Sequence, residues 1–278
     1  MKIAVISGKG GAGKTFVAVN LACASDRATY ADCDVEEPNG HLFLKPSETM
    51  KTSVTVMVPE VDGDACNACR KCVEFCKYHA LALIRGKLLI FQEVCHSCGG
   101  CVLFCPTKAL GEKQREIGYV ETGESENVAM ISGCMNTGEA SGVPIIKRIM
   151  EMIPSKGMAV IDCPPGSACL VMESINTSDY CVLVAEPTLF GAYNLEMVYD
   201  LVKLFHKPFG VVLNKCLDGE NPSEQFCLAH QIPILYSILY DPDLGRMNAG
   251  GLVAVRENDA YKSLFHGLLD RIHEEAGL

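Results

Sequence analysis

The sequence predicts an α/β fold: a mainly parallel sheet with helices on both faces, interrupted by a small cysteine-rich insertion. Three observations carry that prediction. Short apolar runs alternate with stretches long enough for a helix, as parallel strands with helical crossovers require. A glycine-rich turn follows the first of these runs directly. Residues 60–113 break the rhythm with two cysteine runs of identical spacing.

Taken in order, Lys2–Ile6 is a short apolar strand, and a helix is expected from Lys14 to Ser25. A second strand, Ala28–Asp32, leads into "DCDVEEPN", and the β-branched "SVTVMVP" of Ser53–Pro59 predicts a third. Beyond the cysteines, Asn127–Ser132, Met158–Asp162, Tyr180–Ala185, Phe209–Asn214 and Ile234–Ile238 are further strand candidates. Gly191–Phe205 has apolar residues at helical spacing. The last helix, Ala260–Ala276, carries Leu264, Phe265, Leu268, Leu269 and Ile272 on one face. Its other face holds Asp270, Glu274 and Glu275, not the Lys/Arg of a membrane-surface helix, so core packing is expected. The predicted division is one discontinuous domain, 1–59 and 114–278, with 60–113 inserted as a second.

The chain has 278 residues, 49% hydrophobic and 21% charged, enough for a substantial core. A net charge of −10 argues against a broad nucleic-acid footprint. No apolar run is long enough to span a bilayer, and the start reads as a strand rather than an export signal. A cytoplasmic protein is expected, with no nucleic-acid or membrane partner. In that setting sixteen cysteines read as metal ligands or reduced thiols.

The turn Gly8–Thr15, "GKGGAGKT", fits GxxxxGK[ST] between a strand and a helix. A glycine-rich turn with a chance lysine is the alternative, and the strand-before, helix-after context favours a phosphate loop. Backbone N–H groups of Gly8, Lys9, Gly10, Gly11, Ala12, Gly13, Lys14, Thr15 and Phe16 would wrap the phosphates of ATP or ADP. Lys14 would reach the β/γ-phosphates and the Thr15 hydroxyl would ligate Mg²⁺.

The second lysine, Lys9, gives the loop the form KGGxGKT. That form resembles the deviant Walker A loop of the MinD/ParA/nitrogenase-iron-protein family of P-loop ATPases. The resemblance implies that Lys9 reaches across an ATP-dependent homodimer interface to the partner's nucleotide. "DCDVEEPN" is similar to the family's switch I, with Asp34 orienting Mg²⁺ and the attacking water. "VIDCPPG" is similar to its Walker B/switch II segment, with Asp162 as the Mg²⁺-linked carboxylate. Asn214, ending "VVLN", is placed like the asparagine that reads adenine in relatives. As isolated residues, Asp32 and Asp34 also suit turn positions and Asp162 a helix cap.

Both cysteine runs read C-x2-C-x2-C-x3-C, the second 29 residues after the first. This is the spacing of bacterial two-cluster ferredoxins, in which each fourth cysteine ligates the other cluster. Cys66, Cys69, Cys72 and Cys105 would hold one [4Fe–4S] cluster; Cys95, Cys98, Cys101 and Cys76 would hold the other. Zinc is the competing reading, although structural zinc takes four ligands in two separated pairs. Val73/Val102, Phe75/Phe104, Ala80/Ala109 and Leu81/Leu110 repeat in step with the cysteines. Lys77 departs from the pattern, which places proline there.

Cys163 and Cys169, with Cys134, lie near the expected nucleotide machinery, either as buried thiols or as a further metal site at a dimer interface. Cys23, Cys33, Cys181, Cys216 and Cys227 read as structural. The segment Ser132–Ile149 combines a strand end, a polar loop and a helix start, and suits either a partner-facing loop or a plain connection. The whole arrangement resembles the P-loop ATPases that carry an inserted ferredoxin domain. It implies nucleotide-driven dimerisation coupled to electron transfer to a redox partner. Delivery of an iron–sulfur or related cofactor to a partner, and a MinD/ParA-like positioning switch, stand as alternatives.

Overall fold

A computed structural model describes residues 1–277; the last residue of the expected 114–278 segment lies outside them. The strands are β1 (Lys2–Ile6), β2 (Ala28–Asp32), β3 (Ser47–Val61), β4 (Leu81–Ile84), β5 (Lys87–Ile90) and β6 (Leu110–Ser125). They continue with β7 (Val128–Met135), β8 (Met158–Asp162), β9 (Tyr180–Ala185), β10 (Phe209–Cys216) and β11 (Ile234–Leu239). Nine form one sheet in the order β11-β10-β9-β1-β8-β2-β7-β6-β3, and β4 and β5 form a separate pair.

From β11 to β7 the neighbours pair in parallel. These strands are short apolar runs because helices cover both faces; β1, β2 and β9 are almost wholly buried. One face packs on the helix Lys14–Ala24 and the C-terminal helix Asp259–Ala276, where Phe16 meets Phe265 edge-on at 5.6 Å. Phe265, Leu268, Leu269 and Ile272 are buried there, so the apolar stripe of the last helix faces the core. The other face packs on Val143–Met152, Cys169–Ile175, Leu189–Leu204 and Pro222–Ala229 through residues such as Ile145, Val171, Leu195 and Cys227. Among the described residues no helix is long and apolar enough to cross a membrane.

The far edge differs from expectation. The predicted third strand, Ser53–Pro59, is the middle of a strand of 15 residues, and its partner β6, of 16 residues, was not foreseen. They join the sheet antiparallel through β7 and run on together to the pair Val61–Leu110. Polar residues dominate because most of this ribbon is exposed on both faces. Residues 62–109 sit at its end, closed by Asp62 N–H donating to Ala109 O at 2.8 Å. They contain the β4–β5 hairpin and two short helices, Lys71–Phe75 and Gly100–Leu103, around a small core that includes Ala80, Leu81, Cys101 and Leu110.

Candidate functional site: a phosphate-loop cavity and two cysteine quartets

The carboxyl ends of the parallel strands open into a cavity of about 500 Å³. Ligands of open α/β sheets gather at this edge. The loop after β1 supplies Lys9, Gly10, Gly11, Gly13, Lys14, Thr15 and Phe16, and the segment after β2 supplies Asp34 and Glu37. Asn214, Lys215, Tyr240 and Asp241 come from the ends of β10 and β11.

The helix Lys14–Ala24 starts without a side-chain cap and without an acidic residue in its first turn, which leaves its N–H groups for an anion. Gly13 precedes it at φ 94°, and a Cβ there would lie 2.1 Å from the Asn214 amide nitrogen. That amide donates to Ala12 O at 2.9 Å. Asn214 therefore braces the loop as well as lining the cavity.

Lys14 and Asp162 form a buried ion pair. Burial works against the Lys14 ammonium, but Asp162 beside it, with Asp34 and Asp32 behind, holds it above its ordinary value. The other Asp162 oxygen accepts the Tyr30 hydroxyl at 2.8 Å. Asp162, expected at Mg²⁺, is thus engaged by Lys14 and Tyr30 and is covered from the cavity. Asp32 is fully buried and accepts N–H groups from Gly40 (2.9 Å) and Asp34 (3.2 Å), tying the segment after β2 together. Burial, reinforced by Asp162, pushes the Asp32 carboxyl up to about 7. Burial also lifts Asp34, to about 6, against the pull of Lys14.

Lys9, expected to reach a partner, pairs within its own chain with Glu186 at 2.5 Å and lies over the Phe190 ring. Lys215 holds the second Glu186 oxygen at 2.8 Å and donates to Gly11 O at 2.7 Å. Burial acts upward on Glu186, but Lys215 and Lys9 keep its carboxyl below the ordinary value. Sequence reasoning missed Glu186, Lys215 and Tyr30. Position at the end of an apolar strand, as for Asp162, was the available signal for Glu186.

The eight expected cysteines fall into two groups. Cys66, Cys69, Cys72 and Cys105 line one cavity, and Cys76, Cys95, Cys98 and Cys101 line another. Ala80 N–H points to Cys76 Sγ and Ser97 N–H to Cys95 Sγ, each at 3.4 Å. Cys69 and Cys98 are exposed, and Cys101 is buried. Burial raises the Cys101 thiol to about 11. Among the described residues no three His, Cys, Asp or Glu side chains converge as ligands of a single metal ion.

Cys163 directly follows Asp162. It is fully buried, its thiol directed at Ile161 O, whereas Cys169 is exposed at the start of its helix. Burial also holds the Cys163 thiol well above its ordinary value.

Residues 3–254 match the model of the CobQ/CobB/MinD/ParA nucleotide-binding domain. The chain belongs to that family. Among relatives of the MinD/ParA-type chain, an uncharacterized protein of Methanocaldococcus jannaschii is 27% identical over 279 residues, covering 99% of this chain and 97% of its own. The cell division ATPase MinD of Pyrococcus furiosus superposes with a TM-score of 0.62 at 20% identity, over 98% of each chain. The septum site-determining protein MinD of Pyrococcus horikoshii, solved with Mg-ADP, gives 0.62 at 20% identity, over 99% of this chain and 97% of its own. These likenesses fix the P-loop fold of the MinD/ParA-type chain.

Proposed function

We propose that this protein is a Mg²⁺-dependent ATPase that dimerises on ATP and couples its nucleotide state to electron transfer through two [4Fe–4S] clusters. The observation that carries the reading is the union of two features in one chain. A phosphate-loop cavity lies at one end, and two quartets of cysteines lie beyond a ribbon rooted in the same sheet.

The residues fit both kinds of group. At the cavity, Lys14 would neutralise the β/γ-phosphates, and Thr15 and Asp162 would hold Mg²⁺, which supplies charge neutralisation of the phosphates. Asp34 orients the attacking water, and Lys9, released from Glu186, completes the partner's site. Each quartet offers four sulfurs around a cavity, and in the second quartet N–H groups are aimed at two of them, Cys76 and Cys95. The spacing of the two runs suits polynuclear clusters better than zinc, whose structural sites take four ligands in two separated pairs. Bound clusters would supply reversible one-electron chemistry. The bonds from Ala80 and Ser97, and the exposure of Cys69 and Cys98, would set how readily an electron enters or leaves.

The test is iron and acid-labile sulfide analysis of anaerobically prepared protein, combined with ATP hydrolysis by wild type and Lys14→Gln. The reading expects two cubanes per chain, and hydrolysis that vanishes in the variant while iron content stays constant. Zinc in place of iron contradicts the cluster assignment. Cluster loss to an apo-acceptor that depends on Lys14 supports cofactor delivery instead.

A further inference from the structure

Between the nucleotide cavity and the ribbon lies a short loop that contacts both. Val35, the residue after Asp34, is fully buried, and its carbonyl accepts Met135 N–H at 2.8 Å. Its side chain is enclosed by Gly133 and Gly142: a Cβ on Gly142 would lie 2.4 Å from Val35 Cγ2 and one on Gly133 2.8 Å from Cγ1. Movement of Val35 is therefore opposed at once by the chain on both sides of residues 134–141.

The other side of that loop grips the ribbon at its root. The β6–β7 ladder ends at Gly118–Met135, and beyond it β6 pairs only with β3, after a register shift between Val54 and Thr55. Just past that point Asn136 N–H donates to Ile117 O at 2.9 Å. Arg115 then holds Glu139 in a two-pronged pair, Nη1 to Oε1 at 2.7 Å and Nη2 to Oε2 at 2.5 Å. The Glu139 side chain is 8% exposed, so the pair is sheltered from water and directional. Ordinary bracing of an edge strand does not require that the loop doing it also hold Val35, the residue next to Asp34, at both of its ends.

We propose that residues 134–142 form a coupler through which rearrangement at Asp34–Val35 reorients the ribbon and the cysteine quartets at its end. The inference rests on the nucleotide reading above and adds the route by which that site acts on the module. Coupling needs an element that both ends bias, and this loop is bonded to both.

Amide hydrogen exchange of the full-length protein, with and without Mg²⁺ and a non-hydrolysable ATP analogue, tests it. In wild type the nucleotide slows exchange over 34–44 and also changes exchange over 110–118. In Glu139→Gln, and in Arg115→Lys, the first response persists and the second is lost. The charge-reversed double variant, Arg115→Glu with Glu139→Arg, recovers the second response, which a general loosening of the fold would not. A wild-type response confined to 34–44, or a ribbon response that survives Glu139→Gln, overturns the coupler alone. No response at either place overturns the nucleotide reading and the coupler with it.

Discussion

Lys14 is held where an arriving phosphate can take it from Asp162. The ion pair is buried, and Tyr30 secures the far carboxylate oxygen, so Asp162 keeps a partner while Lys14 moves. Removing one member of a buried pair strands the other. Lys14→Met should therefore cost about 3–5 kcal/mol in urea unfolding of the nucleotide-free protein, besides abolishing ATP binding. A variant as stable as wild type would contradict the pairing. The raised carboxyls of Asp32 and Asp34 make a second prediction. A carboxyl raised on folding stabilises fully below its unfolded value of 3.8, and that contribution is lost as pH rises through about 6 and 7. Mg²⁺ and Lys14 favour the ionised forms. The thermal stabilisation by MgADP should then grow between about pH 5 and about pH 8, and Asp34→Asn should flatten that slope. A pH-independent shift would mean that these carboxyls do not ionise when MgADP binds. At Glu186, substitution by Gln weakens the hold on Lys9. ATP-dependent dimerisation, followed by sedimentation, should then occur at lower protein concentration than in wild type; an unchanged profile would mean that Lys9 is not restrained in the free subunit.

At the scale of elements, the structure divides according to what patterning can encode. β1, β2, β8 and β9 lie within the expected apolar runs, because strands buried on both faces must be apolar throughout. β6 was invisible for the opposite reason. "EKQREIGYVETGES" opens with an exposed charged stretch and buries only Ile117, Gly118, Val120 and Ser125, so no clean apolar alternation marks it as a strand. The phosphate loop and the cysteines were legible because their chemistry requires fixed local spacing. Pairs such as Lys9 with Glu186 or Arg115 with Glu139 join residues far apart in sequence, and spacing cannot reveal them. The helix Asp259–Ala276 gives a direct check: Phe265→Ala, which empties a fully buried site against Phe16, should cost about 3–5 kcal/mol. A loss below about 1 kcal/mol would mean that the helix packs loosely on the sheet.

In the whole molecule, a nucleotide-binding sheet of the CobQ/CobB/MinD/ParA type carries a cysteine module at the end of an antiparallel ribbon. The crossed quartets tie the two halves of that module together, since Cys105 joins the first run and Cys76 the second. Cys98→Ser should therefore diminish one cluster and leave the other, losing about half of the bound iron. Loss of all iron would mean that the two sites do not load independently. The most direct test of the central claim is the EPR spectrum of the dithionite-reduced protein under anaerobic conditions, with and without MgATP. Signals from two interacting [4Fe–4S] clusters are expected, changing on addition of MgATP in wild type and not in Lys14→Gln. Cluster signals identical with and without MgATP, in protein shown to bind the nucleotide, would contradict it.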